Sequence, residues 1–401
     1  MKLTENQRHF IDRAIKKVDH SFYFYDLDGL KEQLTQWQRI LPEDITLWYA
    51  CKANPLGAVL KVFRNHNFGI DIASLGELDQ ALASGIKPDR ILATGPAKSK
   101  SYMQSLVTNE VGMVILESIN QAKWLDEIAG AEGKKVNVLL RVQLTWPEGE
   151  SVLGGGQITP FGEDESTWEN FKVDQFKNLN VLGLHIFQWG NILDLAHLNT
   201  LWNEIASRSV ALAKKMNLDL KILDLGGGLG IPYKEGVNSI SFYDVAQELF
   251  QLKKKFQLHR VYMELGRYAI GPFGHYLTRV IDRKNVRGKE LLVLEGGINH
   301  LVRPAITNEP FPAELYRKSQ AKTRVFQVHG PLCTALDHLG DYQLPEDTMP
   351  GDWLAFHQCG AYGFTESMPF FLCHTLAAEV IMYNGDMMIP RWPKPSTDWL
   401  V

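Results

Sequence analysis

Lys52 follows Trp48-Tyr49-Ala50-Cys51, an apolar run of strand character. Burial against such neighbours would lower the amine's pKa and make it a nucleophile toward an aldehyde, so a Schiff base is its natural use; a lysine snorkelling past a strand end is the bland alternative. Further along, Leu225-Gly226-Gly227-Gly228-Leu229-Gly230 could turn bare backbone N–H groups onto a phosphate. It is no dinucleotide fingerprint, because Ile231-Pro232 follows instead of a helix, and a tight structural turn stays open as its reading. Glu264 stands three residues before Arg267, and Asp71, Glu117, Arg141 and His185 each lie at or near the end of an apolar run. Such a set suits an anionic ligand that carries a carbonyl and a basic nitrogen. H-E-x-x-H, paired cysteine ligands and G-x-S-x-G are all missing from the sequence, so neither zinc hydrolysis nor a serine nucleophile has support, and no metal is expected.

These residues need a scaffold that brings strand ends together. Between about residues 45 and 270, eight β-rich runs alternate with stretches of helical period: Thr46–Cys51, Gly69–Ala73, Arg90–Thr94, Gly112–Leu116, Val136–Val142, Val181–Phe187, Leu220–Leu225 and Val261–Leu265. The intervening helical patterns include Ser74–Ser84, Asn120–Ala129, Leu195–Lys215 and Phe242–Phe256, the first opened by a capping-box pair, Ser74 and Glu77. Eight strand-helix units predict an α/β fold, a (β/α)8 TIM barrel, whose reacting groups sit at the C-terminal ends of its strands. After residue 271 the helical period fades and separate strand runs take over, predicting a C-terminal β-rich domain. The expected organisation is a barrel over 27–270, with 1–26 and 271–401 forming the β-rich domain. Phe22–Tyr25 is expected to join that second sheet. Pro147–Glu165, glycine-rich and acidic, is the one long loop inside the barrel.

With 401 residues and 45% hydrophobic content, the chain can bury a large core. Lys+Arg 42 against Asp+Glu 46 leaves no basic field for nucleic acid or an anionic membrane. Met1 to Phe10 lacks the apolar core of a signal peptide, and no run of about 18 apolar residues occurs, so a soluble cytoplasmic protein is expected. The four scattered cysteines, Cys51, Cys333, Cys359 and Cys373, read as free thiols.

Along nearly the whole chain these residues resemble the fold-type III pyridoxal-phosphate (PLP) decarboxylases, the diaminopimelate/ornithine decarboxylase-like group with the alanine racemase-like fold. Phe22-Tyr23-Phe24-Tyr25-Asp26 is similar to the family's opening strand, and Tyr49-Ala50-Cys51-Lys52-Ala53-Asn54 to its YAxKAN motif. Asp71 to Glu77, the glycine run, Glu264-Leu265-Gly266-Arg267 for EPGR, Gly330-Pro331-Leu332-Cys333 with Asp337, and Gly360-Ala361-Tyr362-Gly363 follow in order.

The resemblance implies pyridoxal 5'-phosphate as cofactor. Lys52 would hold it as a Schiff base; Gly226, Gly227, Gly228, Gly266, Arg267 and Tyr362 would hold its phosphate; Asp71, Arg141, His185 and Phe187 would be further cofactor contacts. Glu264 would sit on the pyridine nitrogen and keep the ring able to accept the electron pair left by CO2, which favours decarboxylation. Cys333 would return a proton from the partner subunit, implying a homodimer with shared active sites.

Departures from the family pattern bear on the substrate. A gapless alignment of Gly183 to Asn191 puts Phe187 where a histidine normally stacks on the ring, and His185 on an earlier histidine. Thr334 replaces the acid that meets a distal ammonium, and Arg303 matches an arginine that meets a distal carboxylate; Asp337 is counted with them on the substrate side. The expected substrate is an amino acid or a carboxylate-bearing conjugate such as a citryl-amino acid, as in carboxylate siderophore assembly. The alternatives are a diaminopimelate, carboxynorspermidine or ornithine/lysine decarboxylase, and, in another class, a non-catalytic PLP-carrier protein.

Overall fold

The computed structural model describes residues 3–145, 150–151, 154–155, 158–234 and 236–400. The chain divides into two compact units: residues 33–230 with 239–269, and residues 1–32, 231–238 and 270–401.

The larger unit is built on eight parallel strands, Ile45–Ala50, Gly69–Ile72, Ile91–Ala93, Met113–Leu116, Val136–Gln143, Leu179–His185, Ile222–Asp224 and Arg260–Leu265, in chain order. The last pairs with the first, through Val261 on Ile45 to Leu265 on Tyr49, and closes the barrel. Most strand residues are buried, as both sides of a barrel wall require. Trp48, Leu92, Met113, Ile115, Leu139, Ile222 and Tyr262 pack as one cluster. Gly69 makes room for it, since a Cβ there would lie 2.2 Å from the Trp48 indole. The crossover helices carry the caps their sequences announce: Ser74 Oγ accepts from the Glu77 N–H at 3.2 Å while Glu77 Oε2 accepts from the Ala73 N–H at 2.6 Å. Leu195–Lys215 and Phe242–Phe256 are helices with the predicted limits. Of the long loop Pro147–Glu165, residues 147–149, 152–153 and 156–157 lie outside the described residues; its end is ordered, with Glu163–Asp164 pairing beside Val142 and Gln143.

The smaller unit is a mixed sheet whose main path runs 338–345, 323–329, 289–294, 274–286, 22–26, 378–383, 386–391. Phe22–Asp26 does join it, antiparallel to Gly274–Val286 and parallel to Ala378–Tyr383. Three strands had no sequence reading: Ala313–Leu315, His338–Pro345 and Asp386–Arg391. The polar opening of the chain holds a helix, Glu5–Val18, started by a full capping box between Thr4 and Gln7. Its Phe10, Ile11, Ala14 and Val18 are buried in a core with Phe22, Phe24, Leu277 and Val380. No helix among the described residues is long and apolar enough to cross a membrane.

Candidate active site

At the C-terminal ends of the barrel strands, polar side chains are buried in a connected group. Lys52 is different. The strand ends at Ala50, a single 3-10 turn spans Cys51–Ala53, and Lys52 on that turn is exposed. The expectation that its apolar neighbours bury it is therefore corrected: Trp48 packs in the barrel cluster, Tyr49 stacks on Phe63 at 3.7 Å, and neither encloses the amine. Lys52 Nζ instead lies 6.0 Å from the centroid of the Phe187 ring, and its charge favours ionisation of Asp71 and Glu264.

Asp71 is buried, and its Oδ1 accepts from Thr94 Oγ1 at 2.7 Å; burial, followed by the Glu264 charge, raises its pKa. Arg141 is bound to Glu117 at 2.9 Å, and Glu117 also accepts the Gly162 N–H at 2.9 Å. The Arg141 guanidinium lies 4.5 Å over the Phe161 ring. A second amine, Lys98, is buried here and donates to the Gly95 carbonyl at 2.5 Å; burial lowers its pKa to about 8. Within Ala97-Lys98-Ser99-Lys100 it reads as a solvated loop residue, so sequence offers no signal for it.

His185, Asp224 and Glu264 form the centre. One potential donor or acceptor atom from each lies within 4.8 Å of the others, and all three residues are buried. His185 Nε2 meets Glu264 Oε1 at 3.0 Å. Burial, then the Arg141 charge, holds the imidazole pKa well below its usual value, so His185 is neutral, and we assign its proton to Nε2, donating to Glu264. His185 therefore serves Glu264. Asp224 was not singled out from the sequence, although an acid inside the apolar run Ile222-Leu223-Asp224-Leu225 is itself unusual. Its Oδ1 accepts the Gly226 N–H at 2.9 Å, and burial raises its pKa and that of Glu264.

The glycine run beside them has no space for side chains. Gly226 and Gly228 have φ of +63° and +126°, and a Cβ on Gly226 would stand 2.7 Å from that of Phe187. A Cβ on Gly227 would be crowded against the Glu264 carbonyl oxygen at 3.1 Å and would touch the Phe187 ring at 3.5 Å. Gly266 and Arg267 follow the Glu264 strand, half-buried.

Five candidate residues belong to the smaller unit. Cys333 is exposed, on the segment between the 323–329 and 338–345 strands. Asp337 receives a different role from the substrate-side one anticipated: its Oδ1 accepts the Ile298 N–H at 2.8 Å and its Oδ2 the Leu332 N–H at 2.7 Å, so it clamps the backbone of the Cys333 segment. Thr334 Oγ1 accepts the Leu336 N–H at 3.2 Å. Arg303 is buried, paired with Glu309 at 2.8 Å and lying 4.1 Å over the Tyr233 ring. Tyr362 has φ of +52°, a strained backbone for a residue with a side chain.

A family model described as the pyridoxal binding domain of pyridoxal-dependent decarboxylases matches residues 27–271. The chain belongs to this family. Its cofactor is PLP, and it is a PLP-dependent carboxy-lyase. Among its relatives, the diaminopimelate decarboxylase of Aquifex aeolicus is 31% identical over 97% of this chain and 93% of its own length. A Staphylococcus aureus enzyme, 2-[(L-alanin-3-ylcarbamoyl)methyl]-2-hydroxybutanedioate decarboxylase, is 28% identical over 88% and 91%. The crystal structure of Helicobacter pylori diaminopimelate decarboxylase with L-lysine shares the fold, with TM-score 0.88 at 24% identity over 97% of this chain and 98% of that one.

The barrel rim of this decarboxylase fits PLP. A pyridine ring with an aldehyde and a phosphate needs an amine, a flat apolar face, a carboxylate and bare backbone, and Lys52, Phe187, Glu264 and the glycine run offer these on one strand-end face. The glycine cradle, which any Cβ at Gly226 would fill, is the most specific part of the fit.

Proposed function

We propose that this decarboxylase acts on an amino acid already carrying extra carboxylates, joined as an amide conjugate of the kind used in carboxylate siderophore assembly. The observation that carries this reading is the pair Thr334 and Arg303: a neutral hydroxyl follows Cys333, and a guanidinium stands buried against Tyr233. A threonine cannot neutralise a distal ammonium, whereas the planar guanidinium is shaped to take a carboxylate in a two-pronged hydrogen bond. Its present partner, Glu309, is 38% exposed at the side chain and could yield to a substrate acid. The Staphylococcus aureus relative supports the same direction, since its name describes an amino acid linked through a carbamoyl arm to a hydroxybutanedioate.

In this reading Lys52 would hold the cofactor through its aldehyde, the backbone of Gly226 to Gly228 with Gly266, Arg267 and Tyr362 would hold the phosphate, and Phe187 would offer an apolar face to the ring. Asp71 and Arg141 complete the pocket. Glu264, oriented by His185, holds a proton on the ring nitrogen. PLP, when bound, supplies the electron sink that accepts the pair released as CO2 leaves. Cys333 donates the proton that replaces CO2, and we assign it to the partner's site in a homodimer.

A second reading, diaminopimelate decarboxylation, is favoured by the 31% identity to the Aquifex aeolicus enzyme. The deciding experiment incubates the purified holoenzyme with diaminopimelate, ornithine, lysine and citryl-amino acid conjugates, following CO2 and product mass. Conjugates should exceed the free diamino acids by about two orders of magnitude in kcat/KM, because a matched and a mismatched charged contact act together. Diaminopimelate as best substrate would replace the first reading with the second.

A further inference from the structure

Asp224 is fully buried at the end of its strand, and its Oδ2 has no hydrogen-bond partner among the described residues, while Oδ1 takes the Gly226 N–H. A carboxylate left in this state would be an uncompensated buried anion, which proteins avoid by protonation or pairing. The charged and titratable neighbours of Asp224 are His185, Glu264, Asp71, Arg141 and Tyr262, from the strands around it, with Tyr262 hydrogen-bonded to Arg260, and Lys52 and Glu117 also act on Glu264. Arg141 is committed to Glu117, Asp71 is held by Thr94, and neutral His185 gives its N–H to Glu264. The acid left to share a proton with Asp224 is Glu264, within 4.8 Å. Two like charges that close in a dry barrel end titrate as a pair, the second proton being held far more tightly than the first is lost. Glu264 has the His185 donor that stabilises an anion, whereas Asp224 has only a backbone amide on one oxygen. The proton therefore belongs on Asp224.

We propose that Asp224 is a positioning residue: it carries the one proton shared with Glu264 and, when the gap of up to 4.8 Å between the two carboxyls closes around bound cofactor, donates it from the now unpartnered Oδ2, keeping Glu264 ionised toward the ring nitrogen. An ionised Asp224 would instead repel Glu264, make it more basic, and draw the proton off the ring. This rests on the assignment of Glu264 to the ring nitrogen in the proposed function.

The test uses the holoenzyme loaded with PLP labelled with 15N in the ring, read by NMR together with the infrared C=O stretch of protonated carboxylic acids. Wild type should show a protonated-carboxyl band that Asp224→Asn removes, while the ring nitrogen stays protonated, because the asparagine amide can still donate to Glu264 and its oxygen can keep the Gly226 N–H. Asp224→Leu, which has no donor, should move the ring 15N signal toward the unprotonated position and lower kcat about tenfold with little change in KM. A wild-type minus Asp224→Asn difference spectrum without a protonated-carboxyl band overturns the proposal, since bands from other protonated acids such as Asp71 cancel in the difference. Should Asp224→Leu fail to fold, the infrared comparison of wild type with Asp224→Asn decides alone. Glu264→Gln separates the two readings: a ring signal indifferent to that change sinks the Glu264 assignment, whereas the carboxyl band reports on Asp224 irrespective of it.

Discussion

At the barrel end, Asp71, Glu117, Arg141, His185, Asp224 and Glu264 are all buried and tied to one another, to backbone amides or, for Asp71, to the Thr94 hydroxyl; in the smaller unit, Cys333 is exposed and Thr334 half-exposed on a segment anchored by Asp337. The first arrangement suits chemistry that must be the same for every substrate, because its charges are set by buried, hydrogen-bonded neighbours within the barrel. The second suits contacts particular to one substrate: the Asp337 anchor acts on backbone N–H groups and leaves the side chains of 333 and 334 outside the clamp. One departure from the family pattern, Thr334, falls on that segment; the other, Phe187, lies at the barrel end, where the carboxylate of Glu264 and the amine of Lys52 keep to the pattern.

The largest effect should come from removing one reacting group in each region. Lys52→Ala and Cys333→Ala should each lose at least about 10³-fold in kcat, since each deletes a group with no substitute. If the two regions belong to one site across a homodimer, mixing the dead variants should recover about a quarter of wild-type activity, half the dimers being mixed and each with one intact site. No recovery after verified subunit exchange would show that a single chain supplies both groups.

Much of the barrel could be read before the structure. The eight strand runs fall within a few residues of the observed strands, because strands buried on both sides are nearly continuous apolar runs bounded by Gly, Pro and charged residues. Lys52 was misread as buried because the apolar run was extended one residue past Ala50, where the backbone already turns. Lys98 has no local signal, because its burial depends on contacts from other strands, whereas Asp224 has one, an acid inside the apolar run Ile222–Leu225, that does not by itself distinguish a buried carboxyl from a strand-end one. The Glu5–Val18 helix did carry a local signal, Thr4 with Gln7, concealed by a polar first turn. The exposed edge strands of the smaller unit, such as Asp386–Arg391 with its alternating half-buried pattern, offer only weak apolar contrast.

Glu264→Gln sharpens the comparison from the barrel side. A glutamine cannot hold a proton on the ring nitrogen, so kcat should fall by about 10²-fold, equal to about 2.7 kcal/mol of barrier, for every substrate alike. A substrate-dependent loss would mean that Glu264 also discriminates between substrates, and the division of labour would fail.

Acid should affect the smaller unit through His275 and His357. Their Nδ1 atoms lie 3.0 Å apart in its buried sheet, one necessarily donor and the other acceptor, with Phe24 stacked on His275 and Glu314 3.9 Å from His357 Nε2. Burial lowers their pKa values to about 3 and about 4. The unfolded chain, with ordinary imidazoles near 6.5, thus binds protons that the fold refuses. Stability is complete above about pH 6.5 and is lost as pH falls toward 4, by about 2.5 kcal/mol between pH 7 and 5.5. Buried His300, lowered to about 3, and His185, also lowered, add to the slope with the same sign, so calorimetry of wild type against His357→Asn should show the acid slope cut by about a quarter. An unchanged slope would clear the pair of this role.

The smallest effect is the most informative about substrate. Glu309 neutralises Arg303 at 2.8 Å, so an acid-bearing substrate has to displace it before it can use the guanidinium. Glu309→Gln weakens that internal competitor while leaving a polar side chain of the same size. The variant should raise kcat/KM for a conjugate with a distal carboxylate by about tenfold, the worth of one charge-assisted hydrogen bond. It should leave ornithine and lysine unchanged, and Arg303→Ala should remove most of the preference for acids without displacing PLP. If Glu309→Gln instead lowers turnover of acidic and basic substrates alike, the Arg303–Glu309 pair is a brace that holds the smaller unit together, and substrate choice must be sought at Thr334.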